Sequence, residues 1–260
     1  MSGLSMQTPE PGVALVVMDR PGRLNAFDDA MVRALPGLLE ALAVDPEVKV
    51  VVLTGAHGVF SAGGDLALVG ESAQLPADEL EALLLASFQA SAVLHRMDKP
   101  TIAAINGPAA GGALGLALAC DLRIAAPDAT FVAAFIHMGI APDYGTTWLL
   151  PRVVGHAVAL EMALTGRRVA ATEGHGLGLV TRVCDDPLAE ALSLAGQIAA
   201  QPARAVALTK RLMRESAALD LPAALCAEAR EQTGALLSEE FAGLWAAWRS
   251  EICGVNNGSI

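Results

Sequence analysis

Three short runs of apolar, mostly β-branched residues bounded by turn residues constrain this chain most. They are VALVVM at Val13–Met18, VKVVVL at 48–53 and TIAAI at Thr101–Ile105, and they read as buried strands. Between the first two, Asp28 or Asp29 caps a predicted helix to about residue 43, with Met31, Leu35, Leu38, Leu39 and Leu42 on one face. That is a β–α–β unit, and the fold class is α/β. A second long helix is predicted over 76–97, with Asp78 as its cap and Leu83, Leu84, Phe88 and Leu94 at helical spacing. It ends before Pro100 because the residue preceding a proline is biased away from helix.

After TIAAI, the turn Asn106-Gly107-Pro108 leads into a Gly/Ala-rich helix ending near Cys120, and LRIAA at 122–126 is a further strand. The rest is mostly helical, over 155–164, 188–200, 202–216 and a final segment 221–249 carrying Leu225, Leu236, Phe241, Leu244, Trp245 and Trp248. An apolar tail after the last strand is best explained by docking on another subunit or domain. The expected division is a core over 1–200 and a helical oligomerisation region over 201–260.

With 260 residues and 53% hydrophobic content the chain can bury a large core, and its net charge of −11 disfavours nucleic acid or an anionic membrane as partner. The cysteines Cys120, Cys184, Cys226 and Cys253 form no C-x-x-C pair, and the five histidines show no metal-ligand spacing, so no metal site is expected. The opening MSGLSMQTPEPG lacks the basic-then-apolar order of a signal peptide, and a soluble, cytoplasmic protein is expected.

The chemistry lies in the glycines. In FSAGGDL at 60–66, Gly63 and Gly64 follow a strand-like segment, where backbone N–H groups can approach a ligand without side-chain obstruction; an ordinary tight turn explains them equally. In NGPAAGGALGLALACD, Gly111 and Gly112 open the small-residue helix, whose unpaired N–H groups favour negative charge; close packing on a sheet is the competing explanation. In GIAPDYGTTWLLP at 139–151, Asp143 is a lone carboxylate that either moves a proton or caps a helix after Pro142. Two donors aimed at one developing oxyanion, with one carboxylate, suggest acyl-thioester chemistry.

In that combination, together with RPGRLNAF at 20–27, KPTIAAINGPAAGGALGLALACDLRIA and TGRRVAATEGHGLGLV, the chain resembles the crotonase, or enoyl-CoA hydratase/isomerase, superfamily in order over most of its length. The resemblance implies a β–β–α spiral core with a C-terminal helical trimerisation region, assembled as a homotrimer or a dimer of trimers. It implies an acyl-CoA thioester substrate, with coenzyme A as part of the substrate and no permanently bound cofactor. The N–H groups of Gly64 and Gly112 would form the oxyanion hole, and Arg23, Ala26, Ala62, Gly63, Asp65 and Leu66 would lie along the coenzyme A site. Each donor in such a hole contributes roughly 3–4 kcal/mol to an enolate-like transition state.

The chain departs from the hydratase pattern. Where family hydratases carry two glutamates that hold and activate water, the matching positions are Gly115 and Phe135, and neither transfers a proton. Around Asp143 the sequence resembles the isomerase branch that acts on ring epoxides and Δ3,Δ2-enoyl thioesters, where one acidic residue shuttles the proton. Isomerisation is therefore expected, with Phe135, Tyr144 and Trp148 around the site. The alternatives are a hydratase-like enzyme, an aromatic acyl-CoA dehalogenase or hydrolase with Asp143 as nucleophile, and a non-catalytic acyl-CoA binder. His137 is expected to be structural, and Lys210, Arg211 and Arg214 to form a solvated helical face.

Overall fold

A computed structural model describes residues 3–256, with side chains to residue 250. The chain divides into two compact units, one running to Ala199 and one starting at Ala200. The elements of the first, in order, are β1 (Leu4–Glu10), β2 (Val13–Met18), α1 (Asp29–Val44), β3 (Val50–Gly55), α2 (Leu66–Ser72), α3 (Ala77–Arg96), β4 (Thr101–Ile105), β5 (Ala109–Ala110), α4 (Gly112–Ala119), β6 (Leu122–Ala125) and β7 (Thr130–Val132). A 3-10 turn (Ala134–Met138) follows, then α5 (Thr146–Val154), α6 (His156–Thr165), β8 (Arg168–Ala170), α7 (Ala171–Gly176), β9 (Arg182–Val183) and α8 (Pro187–Ala199). The second unit contains α9 (Ala203–Ser216), α10 (Leu221–Leu236) and α11 (Glu239–Asn256).

The larger sheet has the order β1-β2-β3-β4-β6-β9; only the β1–β2 pair is antiparallel. Its central strands are mostly apolar because both faces are covered, as expected of parallel strands, and the buried Thr54 and Thr101 hydroxyls are hydrogen-bonded to the Ala104 carbonyl and Asp121. Ala14, Val16, Met18, Val51, Leu53, Ala103 and Ile105 join the main core with α1, α3 and α4. The alternate residues Val13, Leu15, Val50, Val52, Ile102, Ala104 and Ile124 pack on Ala191, Ala195 and Ala199 of α8. The second sheet, β5-β7-β8, is small.

Helix α1 is capped by Asp28, whose side chain accepts from the Met31 amide, and it buries Met31, Leu35, Leu39 and Leu42. Three expectations change. The second strand starts two residues later than the apolar run suggests, after the Lys49 amide has bonded to the Gly12 carbonyl. Pro76, not Asp78, is the N-cap of α3, and Asp78 lies in the first turn without a capping bond. The final apolar segment is two helices: α10 closes at Leu237, and the Ser238 hydroxyl accepts from the Phe241 amide to start α11.

Candidate active site

Two long-range bridges bring the glycine segments together. Ser61 pairs with Ala109, its amide donating to the Pro108 carbonyl at 3.0 Å and its carbonyl accepting from the Ala110 amide at 3.1 Å. Gly64 pairs with Phe27 through the Phe27 amide to the Gly63 carbonyl (2.7 Å) and the Asp65 amide to the Phe27 carbonyl (3.0 Å), a pattern that passes over the Gly64 amide. Gly63 has φ +87°, and a Cβ there would lie 2.5 Å from the Ala110 carbonyl oxygen and 3.2 Å from the Gly112 amide nitrogen, so the approach requires glycine. Its own amide is taken by Ser61 Oγ at 3.0 Å, and the Gly111 amide by the Val132 carbonyl at 2.9 Å. Gly112 is the first residue of α4, where amides have no acceptor within the helix.

Asp143 stands on the turn before α5 and does not cap it. The N-cap is Gly145 in the left-handed conformation, with no side-chain capping bond. One carboxyl oxygen of Asp143, Oδ1, is buried without a hydrogen-bond partner and lies 3.4 Å from where a Gly112 Cβ would be. Burial disfavours its charged form and pushes its pKa up to about 6.

The two positions matching hydratase acids cannot supply one. A Cβ on Gly115 would meet Thr146 Oγ1 at 2.7 Å, Tyr144 Cβ at 2.7 Å and the Tyr144 carbonyl at 2.8 Å, so the turn into α5 fills that space. Phe135 is buried, with a ring carbon 3.9 Å from a Cβ built on Gly111. Tyr144 is also buried, its ring tilted against Phe27 and edge-on to Phe88 at centroid distances of 5.6 and 5.2 Å. Trp148 is half exposed, with Arg152 over its ring at 3.7 Å and His95 edge-on at 5.1 Å.

A sequence model of the enoyl-CoA hydratase/isomerase family matches residues 8–242. The chain belongs to the enoyl-CoA hydratase/isomerase family. It is 40% identical over 241 residues, 90% of this chain and 93% of the relative, to the Mycobacterium tuberculosis protein named probable enoyl-CoA hydratase EchA14. It is 37% identical to 4-chlorobenzoyl coenzyme A dehalogenase-1 of Arthrobacter, covering 92% and 88% of the two chains. To 1,2-epoxyphenylacetyl-CoA isomerase of Escherichia coli K12 it is 39% identical, covering 80% of each. The crystal structure of a Bacillus anthracis enoyl-CoA hydratase superimposes with a TM-score of 0.89, at 29% identity and 96% coverage of both chains. A Thermobifida fusca homologue solved in complex with CoA has a TM-score of 0.85, at 30% identity and 93% and 95% coverage. The crotonase-type α/β fold with a C-terminal helical region follows.

Within this family fold, the residues expected along the coenzyme A site cluster on two neighbouring loops. Ala62 donates its amide to the Leu24 carbonyl at 2.9 Å, and Ala26 to the Arg23 carbonyl at 2.9 Å; Arg23 and Leu66 are exposed. The Asp65 carboxylate is already engaged, by Arg20 Nη1 at 2.8 Å and by the Ala67 amide at 3.0 Å, where it caps α2; these bonds hold its pKa below the usual value. Sequence reasoning missed two organising residues. Arg20 also pairs with Asp28 at 2.9 Å, joining the N-caps of α1 and α2. Asn25, at φ +53°, donates to the Ala56 and Val59 carbonyls at 2.9 and 2.7 Å and accepts from the Arg20 amide. A signal was available in the RPGRLNAF motif, where Asn is the residue type that tolerates the left-handed region.

His137 bonds to the Gly166 carbonyl at 3.2 Å, a structural position. Arg211 pairs with Glu231, and Arg214 with Glu215. Among the described residues, no helix is long and apolar enough to cross a membrane.

Proposed function

We propose that the chain is an acyl-CoA isomerase that shifts a double bond, or rearranges a ring-epoxide acyl-CoA, through a thioester enolate. Residues 1–200 bind and convert the thioester, and residues 201–260 assemble the subunits. The thioester oxygen accepts from the Gly64 and Gly112 amides, which stabilise it most strongly once proton removal has made it an enolate oxygen. Asp143 takes the proton from one carbon and returns it to another, so no second acid is needed. Coenzyme A enters with the substrate along Arg23, Ala26, Ala62, Asp65 and Leu66, and the enzyme works in the cytoplasm.

The observation that carries this reading is the buried, unpartnered Oδ1 of Asp143 beside Gly112. A carboxyl group with one oxygen free of any donor, and with its pKa raised by burial to about 6, is suited to exchanging a proton near neutrality. The absence of an acid at Gly115 and Phe135 argues against hydration, and the name of the Escherichia coli relative supports isomerisation. Asp143→Asn should keep the fold and acyl-CoA binding, while isomerisation and α/γ-proton exchange in D₂O fall at least about a hundredfold. Near-normal turnover would remove Asp143 from the mechanism.

The same free oxygen, with the Arthrobacter relative, favours one second reading: attack of the Asp143 carboxylate on an aromatic ring carbon, expulsion of halide and hydrolysis of the resulting aryl ester. Halide release from a haloaroyl-CoA without proton exchange would decide for it.

A further inference from the structure

We infer that Tyr144 sets the depth of the acyl pocket, its ring closing the way from the Gly112–Asp143 face into an apolar crevice between α1 and α3, so that short acyl groups are preferred. The inference rests on the reading that the acyl group lies beside Asp143. Two ring carbons of Tyr144 lie 2.8 and 3.0 Å from a Cβ built on Gly112, at the same spot that Asp143 Oδ1 approaches to 3.4 Å. The ring therefore borders the candidate site directly. It also forms a wall of a narrow crevice, whose other walls are Phe27, Met31, Val32 and Leu35 on the α1 side and Ser87 and Ala90 of α3.

Three contacts hold the ring in this position. Phe27 and Phe88 pack against it, and Ser87, whose own hydroxyl donates to the Leu83 carbonyl at 2.7 Å, lies beside its hydroxyl. The backbone of Tyr144 is at φ +48°, a region costly for a side chain of this size, so the surrounding packing keeps the ring there at the expense of local strain. A glycine at this position would relieve that strain and open the crevice, whose remaining walls, Ser87 apart, are apolar and suited to an alkyl chain.

The test is calorimetric binding of butanoyl-, octanoyl- and dodecanoyl-CoA to the full-length wild type and to Tyr144→Phe, Tyr144→Ala and Tyr144→Gly, with thermal melts to establish folding. These saturated thioesters have no double bond to move, so binding is read independently of whether Asp143 isomerises anything. Wild type and Tyr144→Phe should bind butanoyl-CoA most tightly and dodecanoyl-CoA least. In Tyr144→Ala and Tyr144→Gly the dodecanoyl-to-butanoyl affinity ratio should rise by about tenfold or more, the scale of a methylene accepted or refused by an apolar pocket. An unchanged ratio in a folded Ala or Gly variant overturns the proposal. If neither variant folds, the wild-type series decides: dodecanoyl-CoA bound as tightly as butanoyl-CoA also overturns it. A shifted ratio in an enzyme that moves no double bond would leave the Tyr144 assignment standing and overturn the isomerase reading alone.

Discussion

At the scale of single residues, the proposed chemistry is tested at Asp143 and Gly115. Because burial raises the Asp143 pKa from 3.8 to about 6, the folded protein binds more protons than the unfolded chain between those values. Stability from this group is thus full at low pH and lost as pH rises through that interval. The melting temperature of Asp143→Asn relative to wild type should therefore climb between about pH 4 and pH 7, as differential scanning calorimetry can measure. As the proposed base, Asp143 must be ionised to act, so kcat/KM should fall as pH drops below about 6. Gly115→Ala places a Cβ 2.7 Å from Thr146 Oγ1 and Tyr144 Cβ, and overpacking of this kind costs about 1–3 kcal/mol in urea denaturation. Gly115→Glu should be worse, and should not install hydration.

At the scale of elements, Arg20 couples the first turns of two helices. Asp28 and Asp65 cap α1 and α2, and the same guanidinium contacts both carboxylates. Asp28→Ala should cost about 1 kcal/mol, the usual loss of a cap, by equilibrium denaturation. The Asp65 pKa is depressed, first by its bond to Arg20, so its contribution is present above the ordinary carboxylate range and is lost as pH falls below it. Arg20→Met should flatten that acid-side loss and lower stability at neutral pH. Since Asp65 follows Gly64 directly, this pairing also steadies the segment that presents the Gly64 amide.

At the scale of the molecule, the unit from Ala200 onward has no buried side chain among its described residues, although Leu221, Leu237, Trp245 and Trp248 are 71%, 83%, 45% and 53% exposed. Phe241 stacks on Trp245 at 6.2 Å, and Trp245 packs on Trp248 at 5.2 Å, a partly exposed aromatic row of the kind that marks an interaction surface. Light scattering after size exclusion should give a trimer or hexamer. Truncation after Asp220 should yield monomer or aggregate, and a stable oligomer of native subunit number would count against assembly through this region.

The amino-acid sequence by itself determined the elements whose signal is local. The apolar runs of β2 and β4, the Asp28 cap and apolar stripe of α1, and the glycine-rich start of α4 each satisfy their own periodicity or capping demand within a few residues. The two- and three-residue strands β5, β7, β8 and β9 have no period to read, and β1, whose five central residues of seven are exposed, lacks an apolar run. Tertiary structure alone decided the site. Pairing of Phe27 with Gly64 and of Ser61 with Ala109 sets the two glycine segments side by side, and the approach of the Asp143–Tyr144 turn to Gly112 and Gly115 fills one acid position and isolates a carboxyl oxygen. Local propensity contains no term for contacts between segments dozens of residues apart, so it named Asp143 and placed Tyr144 around the site, but it left open whether Asp143 capped a helix and gave no sign that the Tyr144 ring would lie against Gly112.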